Sequence, residues 1–142
     1  YKIKGWCIML KRKQSRENAF ILIFEKIFND LPADDILDQA VNFREFETDT
    51  YCEEVFHGVY ENVGEIDALI SENAKGWTID RISRVALAVL RLAIYEINYR
   101  DDIPVSVSVN EAVELCKKYA AAEDASFVNG ILGTIADGKE GK

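Results

Sequence analysis

The sequence has 142 residues but only two prolines, Pro32 and Pro104, and eight glycines. That scarcity argues against collagen-like, proline-rich and many-turned β architectures. Long hydrophobic runs are also missing. The longest, Ala19–Phe24 and Val85–Leu90, have six residues each. A membrane span needs roughly 20, so a soluble protein with no membrane partner is expected. No secretory leader is visible, because the apolar stretch Trp6–Leu10 is too short for an h-region followed by a cleavage site. The three cysteines, Cys7, Cys52 and Cys116, are odd in number and far apart. They suit reduced thiols in a cytoplasm better than a disulfide frame.

Apolar residues make up 49% and charged residues 30% of the chain, enough for a packed core in one domain or in two halves packed on one another. The net charge of −8 at first counts against nucleic acid. Its distribution changes that view. Lys2, Lys4, Lys11, Arg12, Lys13 and Arg16 put six cations and no acid into residues 1–16, whereas the remainder carries 11 basic against 25 acidic side chains. A basic arm on an acidic body fits a nucleic-acid-binding segment. It equally fits a solvated tail.

Helical spacing dominates. Val105–Val109 alternates, but it is short and runs into a helical pattern. A first helix is predicted over Ser15–Asn29, with Ser15 as N-cap and a stripe of Phe20, Ile23, Phe24, Ile27 and Phe28. Pro32 ends it. A second is predicted over Ala33–Phe43, with Ile36, Leu37, Ala40 and Val41 inward. Thr50–Glu53 reads as a capping box opening one long helix to Asn73. Its stripe is Cys52, Val55, Phe56, Val59, Val63, Ile66 and Ile70, and Gly58 and Gly64 inside it permit close contact or mark a kink. Thr78–Ile82 reads as one turn. Arg84–Tyr99 is apolar nearly all round and should be the central buried helix. Ser108–Glu111 is a second capping box, in a helix from Ser106 or Ser108 to Ala120 with Val109, Ala112, Val113, Cys116 and Tyr119 inward. A last helix starts between Asp124 and Ser126, and Asp137–Lys142 is expected to be a frayed tail. The predicted fold is all-α, a compact bundle of six or seven helices.

Chemistry-bearing groups are few. His57 is the only histidine and has no cysteine or histidine neighbour, so neither a metal site nor a nucleophilic triad is expected. Carboxylate pairs such as Asp34/Asp35, Glu53/Glu54, Asp101/Asp102 and Glu123/Asp124 are explained by helix N-terminal preference and solubility rather than acid–base catalysis. Gly130–Gly133 lacks the strand and lysine of a phosphate loop and is expected to allow tight packing. The cluster Lys11-Arg12-Lys13-Gln14-Ser15-Arg16 stands out. Four cations at a helix N-terminus oppose the helix dipole, and local conflicts of this kind tend to mark functional sites. Phosphates would meet those cations and the free N–H groups of the first turn together.

Four segments resemble the NusB family of bacterial transcription antitermination factors. They are Lys11–Ala19, Val89–Glu96, Pro104 followed by Val109–Lys117, and Phe127–Leu132, in that order, and the resemblance spans about Leu10 to Ala136. It implies two packed three-helix bundles, no enzyme activity, and no cofactor or metal. It implies binding to single-stranded boxA RNA of nascent ribosomal transcripts together with a small-subunit ribosomal protein, NusE. The resemblance further implies a larger complex with NusA, NusG and RNA polymerase. Family members differ in oligomeric state, so homodimer formation is left open.

Carried over residue by residue, Lys11, Arg12, Lys13 and Arg16 match the family's RNA-contact region, and Asp80, Asp124, Ser126 and Phe127 fall at positions like those near bound RNA. Phe127 suits base stacking, worth about 1–3 kcal/mol, and equally suits core packing. Asp124 is expected to act as an N-cap and to tune RNA affinity by repulsion. Lys13 and Gln14 stand where the family often has arginine, and Ser126 lacks a charge some members carry. Residues 1–8 have no family counterpart, and Met9 is expected to be the natural start, leaving a single domain over 9–137 and a polar tail over 138–142. Two alternatives remain open: a helical RNA-binding domain acting with a ribosomal-RNA cytosine methyltransferase, and a protein-interaction module without RNA contact.

Overall fold

The computed structural model describes residues 11–140. Expectations for Lys2, Lys4, the Trp6–Leu10 stretch, Cys7, Met9, Gly141 and Lys142 lie outside the described residues. Seven α-helices and one 3₁₀ turn account for most of the described chain, and no strand occurs among the described residues. The chain divides into two compact units, Tyr1–Glu61 and Asn62–Lys142.

The first unit holds α1 (Arg12–Ile27), α2 (Ala33–Phe43) and α3 (Thr50–Glu61). Its core is Ala19, Phe20, Leu22 and Ile23 from α1, Ile36, Leu37 and Ala40 from α2, and Cys52, Val55, Phe56 and Val59 from α3, all buried. Each large apolar side chain withdrawn from water in this way stabilises the fold by about 1.5–3 kcal/mol. The predicted α1 stripe holds only through Ile23; beyond it Phe28 is 64% exposed. The helix also starts earlier than predicted. Ser15 is not its cap: Lys11 occupies that position without a side-chain cap bond, and Ser15 is buried inside the helix.

The long helix predicted over Thr50–Asn73 is two. Asn62, at φ −119° and ψ 18°, interrupts it between Glu61 and Val63. Gly64 lies in open space one residue past the start of the next helix, so close packing is not its role. The cap of α3 is Asp49, whose Oδ1 accepts the Cys52 N–H at 2.9 Å. Thr50, the predicted cap, is exposed.

The second unit holds α4 (Val63–Asn73), the 3₁₀ turn Ile79–Arg81, α5 (Arg84–Tyr99), α6 (Val105–Tyr119) and α7 (Ala122–Glu140). It therefore has four helices where three were expected. Helix α5 matches its predicted span and is capped by Ser83, whose hydroxyl accepts the Ala86 N–H at 3.1 Å. Nine of its apolar side chains, from Ala86 to Ile97, are buried. A two-bonded ion pair ties α5 to α4, with Arg91 Nε and Nη2 donating to the Asp67 carboxylate at 3.0 and 2.9 Å.

Helix α6 begins at Val105, so the second capping box is unused. Ser108 instead sits inside the unit, donating its O–H to the buried Glu96 carboxylate at 2.8 Å. The inner face of α6 is accordingly turned from the predicted one: Leu115 is buried and Tyr119 is 40% exposed. Helix α7 continues through Asp137 to Glu140 where fraying was expected. Gly130 and Gly133 have no atom within 4 Å of the place a Cβ would occupy, so the tight packing expected there is absent.

Candidate nucleic-acid interface

The basic cluster sits where α1 starts. No acidic side chain occupies the first turn, so the positive end of the helix dipole and the side-chain cations add. Lys11, Arg12 and Lys13 are exposed. Arg12 lies flat over the Tyr51 ring, its guanidinium carbon 3.9 Å from the ring centroid. That cation–π contact positions a long side chain that otherwise sweeps through solvent.

Arg16 departs from the expected set. It is only 4% exposed and engaged by its surroundings. The helical repeat explains this, because residue 16 lies one turn before Phe20 and so on the core-facing side. Three of the four predicted cations are presented to solvent.

The helix start is fastened from below. Ser15 Oγ donates to Asp49 Oδ2 at 2.5 Å, and Asn18 Nδ2 donates to the Glu47 carbonyl at 2.8 Å. Gln14 Nε2 reaches Asn18 Oδ1 at 2.9 Å. The loop before α3 thus holds the segment carrying the cations, and Asp49 serves both Ser15 and the α3 cap.

Of the four other predicted residues, Asp124 and Phe127 come together. They line one open cavity of about 420 Å³ whose walls include Trp77 and Arg81. Phe127 is half-buried and meets Trp77 edge-to-face, with centroids 6.1 Å apart and planes at 64°. Asp124 lies in the first turn of α7, its N–H bonded to the Ala121 carbonyl at 3.0 Å, and is not the cap expected of it. Burial, and after it the charge of Asp124, push the Cys116 thiol up to about 11. Asp80 and Ser126 are exposed and do not line the cavity. The Thr78 hydroxyl, then the Asp80 N–H and more weakly Arg84, hold the Asp80 carboxyl below the ordinary carboxylate range.

Two features escaped sequence reasoning. Trp77 is 51% exposed; its signal is a lone indole within the polar loop that follows α4. The other is an apolar groove in the first unit, about 730 Å³, lined by Phe24, Phe28, Ile36 and Phe43. Phe43 is 82% exposed, and the Arg44–Glu25 ion pair stands at its edge. Its signal is the unburied second half of the α1 stripe.

His57 bridges helices within the first unit, with Nε2 2.6 Å from Asp34 Oδ1 and Nδ1 2.9 Å from the Glu53 carbonyl. No group of three or more metal-ligating side chains occurs among the described residues. None of the described helices is long and apolar enough to cross a membrane.

A family model matches residues 13–137, nearly the whole described chain, and its description is the NusB family. The chain belongs to the NusB family. Its curated relatives include the transcription antitermination protein NusB of Listeria welshimeri, 44% identical over 128 residues, which cover 89% of this chain and 97% of the relative. Such proteins are named as regulators of transcription, not as enzymes. Among solved structures, NusB from T. maritima superposes with a TM-score of 0.81 at 34% identity, covering 92% of this chain and 93% of the other. A structure of antitermination factors NusB and NusE in complex with dsRNA shares the fold, with a TM-score of 0.80 at 24% identity over 89% of this chain and 96% of the other.

Proposed function

We propose that this chain is a non-enzymatic, cytoplasmic RNA-binding antitermination factor. It takes single-stranded boxA-type RNA jointly with NusE and acts with NusA, NusG and RNA polymerase. The observation that carries this reading is the trio of exposed cations, Lys11, Arg12 and Lys13, at an acid-free helix start. Phosphates there meet side-chain charge and backbone N–H groups together. The rest of the chain is strongly acidic, so RNA is repelled elsewhere, and a basic partner protein supplies the charge that this chain lacks. The apolar groove at Phe28 and Phe43 is the surface we assign to that partner, since an aromatic patch this exposed is otherwise a liability in water.

Support also comes from the solved assembly of the same fold, in which antitermination factors NusB and NusE are in complex with RNA. Its RNA is double-stranded. An unpaired strand is proposed here because the narrow major groove of duplex RNA excludes side chains. Labelled boxA RNA, a scrambled strand and a duplex are titrated at two salt concentrations, with and without NusE. Weak binding alone, much tighter binding by the heterodimer, and preference for the unpaired boxA strand are expected. Equal affinity for the scrambled strand throughout removes specific readout. Phe43→Glu should abolish the gain from NusE and leave binding by the chain alone unchanged.

A further inference from the structure

The cation cluster and the apolar groove of the first unit lie toward opposite ends of α1. Glu25 stands 13 residues after Arg12, about 20 Å along the helix axis. One short segment, Arg44–Asp49, joins α2 to α3 and reaches both. At the groove, Arg44 Nη1 and Nη2 donate to the Glu25 carboxylate at 2.5 and 3.1 Å, and both residues line its wall. The Arg44 guanidinium also lies over Phe46, 5.6 Å from the ring centroid. At the cluster, the Glu47 carbonyl accepts from Asn18 and the Asp49 carboxylate accepts from Ser15. Between the two ends, the Phe46 N–H closes on the Ala40 carbonyl at 3.1 Å, and the buried Thr48 hydroxyl donates to Glu53 at 2.5 Å.

The start of α1 depends on this segment. It has no side-chain cap and no acid in its first turn, and its cations oppose the helix dipole, so the first turn is poorly held by its own helix. The bonds from Ser15 and Asn18 to the loop stand in for the missing cap. The loop is itself under tension, because Glu45 sits at φ 52°, in the left-handed region that a side chain with a Cβ disfavours. The seated loop and the wound first turn therefore form and loosen together. A partner filling the groove immobilises Arg44 and Glu25 and takes away freedom that loosening would restore. Phosphates on the cations favour the wound turn. Both ligands thus bias one equilibrium, which is what coupling between two sites requires.

We propose that the Arg44–Asp49 loop couples the two surfaces. Occupancy of the groove by the protein partner winds the start of α1 and strengthens its grip on RNA, and RNA strengthens the hold on the partner by the same factor. The proposal rests on the reading of the groove as the partner's site and the cluster as the RNA's, and adds the regulation that links them.

The test is hydrogen exchange of the full chain without RNA, read at the amides of Ser15 to Asn18, alone and with saturating NusE. NusE should slow these amides by about tenfold, although the groove lies at the far end of α1. A Gly-Gly pair inserted between Phe46 and Glu47 should cancel that slowing while NusE still protects the amides of Phe43 and Arg44. Glu45→Gly relieves the left-handed strain, so it should slow Ser15 to Asn18 in the chain alone and shrink the further gain from NusE. Amides of Ser15 to Asn18 that ignore NusE, protection there that survives the insertion, or faster exchange there in Glu45→Gly overturns the proposal. Titration of NusE with and without a single-stranded RNA separates the readings. Binding of each ligand with the NusE affinity unchanged by RNA sinks the coupling alone. Absence of protection at Phe43 and Arg44 sinks the groove reading, and the coupling falls with it.

Discussion

Replacing Lys11, Arg12 and Lys13 one at a time with glutamine, with Arg16→Gln alongside, separates cations that face RNA from one that holds the fold. Each phosphate neutralised on a single strand adds about 0.7 to the slope of log affinity against log salt. Three exposed cations therefore give a slope of about −2, or about a twentyfold loss of affinity between 50 and 200 mM salt. Each single replacement among the three should flatten the slope by about 0.7. Arg16 is buried and engaged, so its replacement should leave the slope unchanged. It should instead destabilise the protein by about 1–3 kcal/mol, because buried partners lose a charged donor. The assay is fluorescence anisotropy of a labelled single strand at five salt concentrations, paired with urea unfolding of each variant. A slope lowered by Arg16→Gln at unchanged stability, or untouched by the other three, refutes the assignment.

Asp49→Ala removes the α3 cap and the acceptor of Ser15 together. A cap is worth about 1 kcal/mol and a hydrogen bond to a charged group about 1.5–3. The midpoint of thermal unfolding should fall by about 8–12 °C, at roughly 3 °C per kcal/mol, and a fall under 2 °C counts against the double role. Gly130→Ala meets nothing within 4 Å and should stabilise the protein by up to about 1 kcal/mol through helix propensity; destabilisation in urea restores the packing role. With Cys7→Ser in place, Cys52 and Cys116 should resist a thiol reagent at pH 8 and react in guanidinium. Burial, and after it the neighbouring carboxylates, push the Cys52 thiol to about 12, and Cys116 stands at about 11. The raised values favour the neutral thiols in the folded state. Their contribution is therefore complete below the ordinary thiol value of 9.0 and is lost as pH climbs through 11 and 12, which unfolding measured from pH 8 to 11 should register.

Where a helix has one apolar face and clear stops, the sequence announces it. Helices α2 and α5 keep their predicted ends because Pro32 and Ser83 begin them and their stripes have no rival reading. The split at Asn62 was hidden because Val59, Val63 and Ile66 continue one stripe across it, with no proline at the break. Ser15 and Ser108 looked like caps because their hydroxyls suit local bonding. Partners distant in sequence, Asp49 and Glu96, took those hydroxyls instead. Lys11, Arg12 and Lys13 were legible as a charge run. The burial of Arg16 was readable from its spacing to Phe20, yet its charge suggested the surface. Trp77 was invisible to motif reading, since its significance comes from Phe127 fifty residues on.

Asp49 couples the histories of two positions. A serine at 49 would still start α3 but would desert Ser15, whereas an asparagine could serve both, its amide donating where the carboxylate now accepts. Sequence drift at 15 and 49 should therefore be correlated. Relatives whose residue 15 has lost its hydroxyl are free to carry any small capping residue at 49, and those that keep the hydroxyl should be confined to aspartate or asparagine.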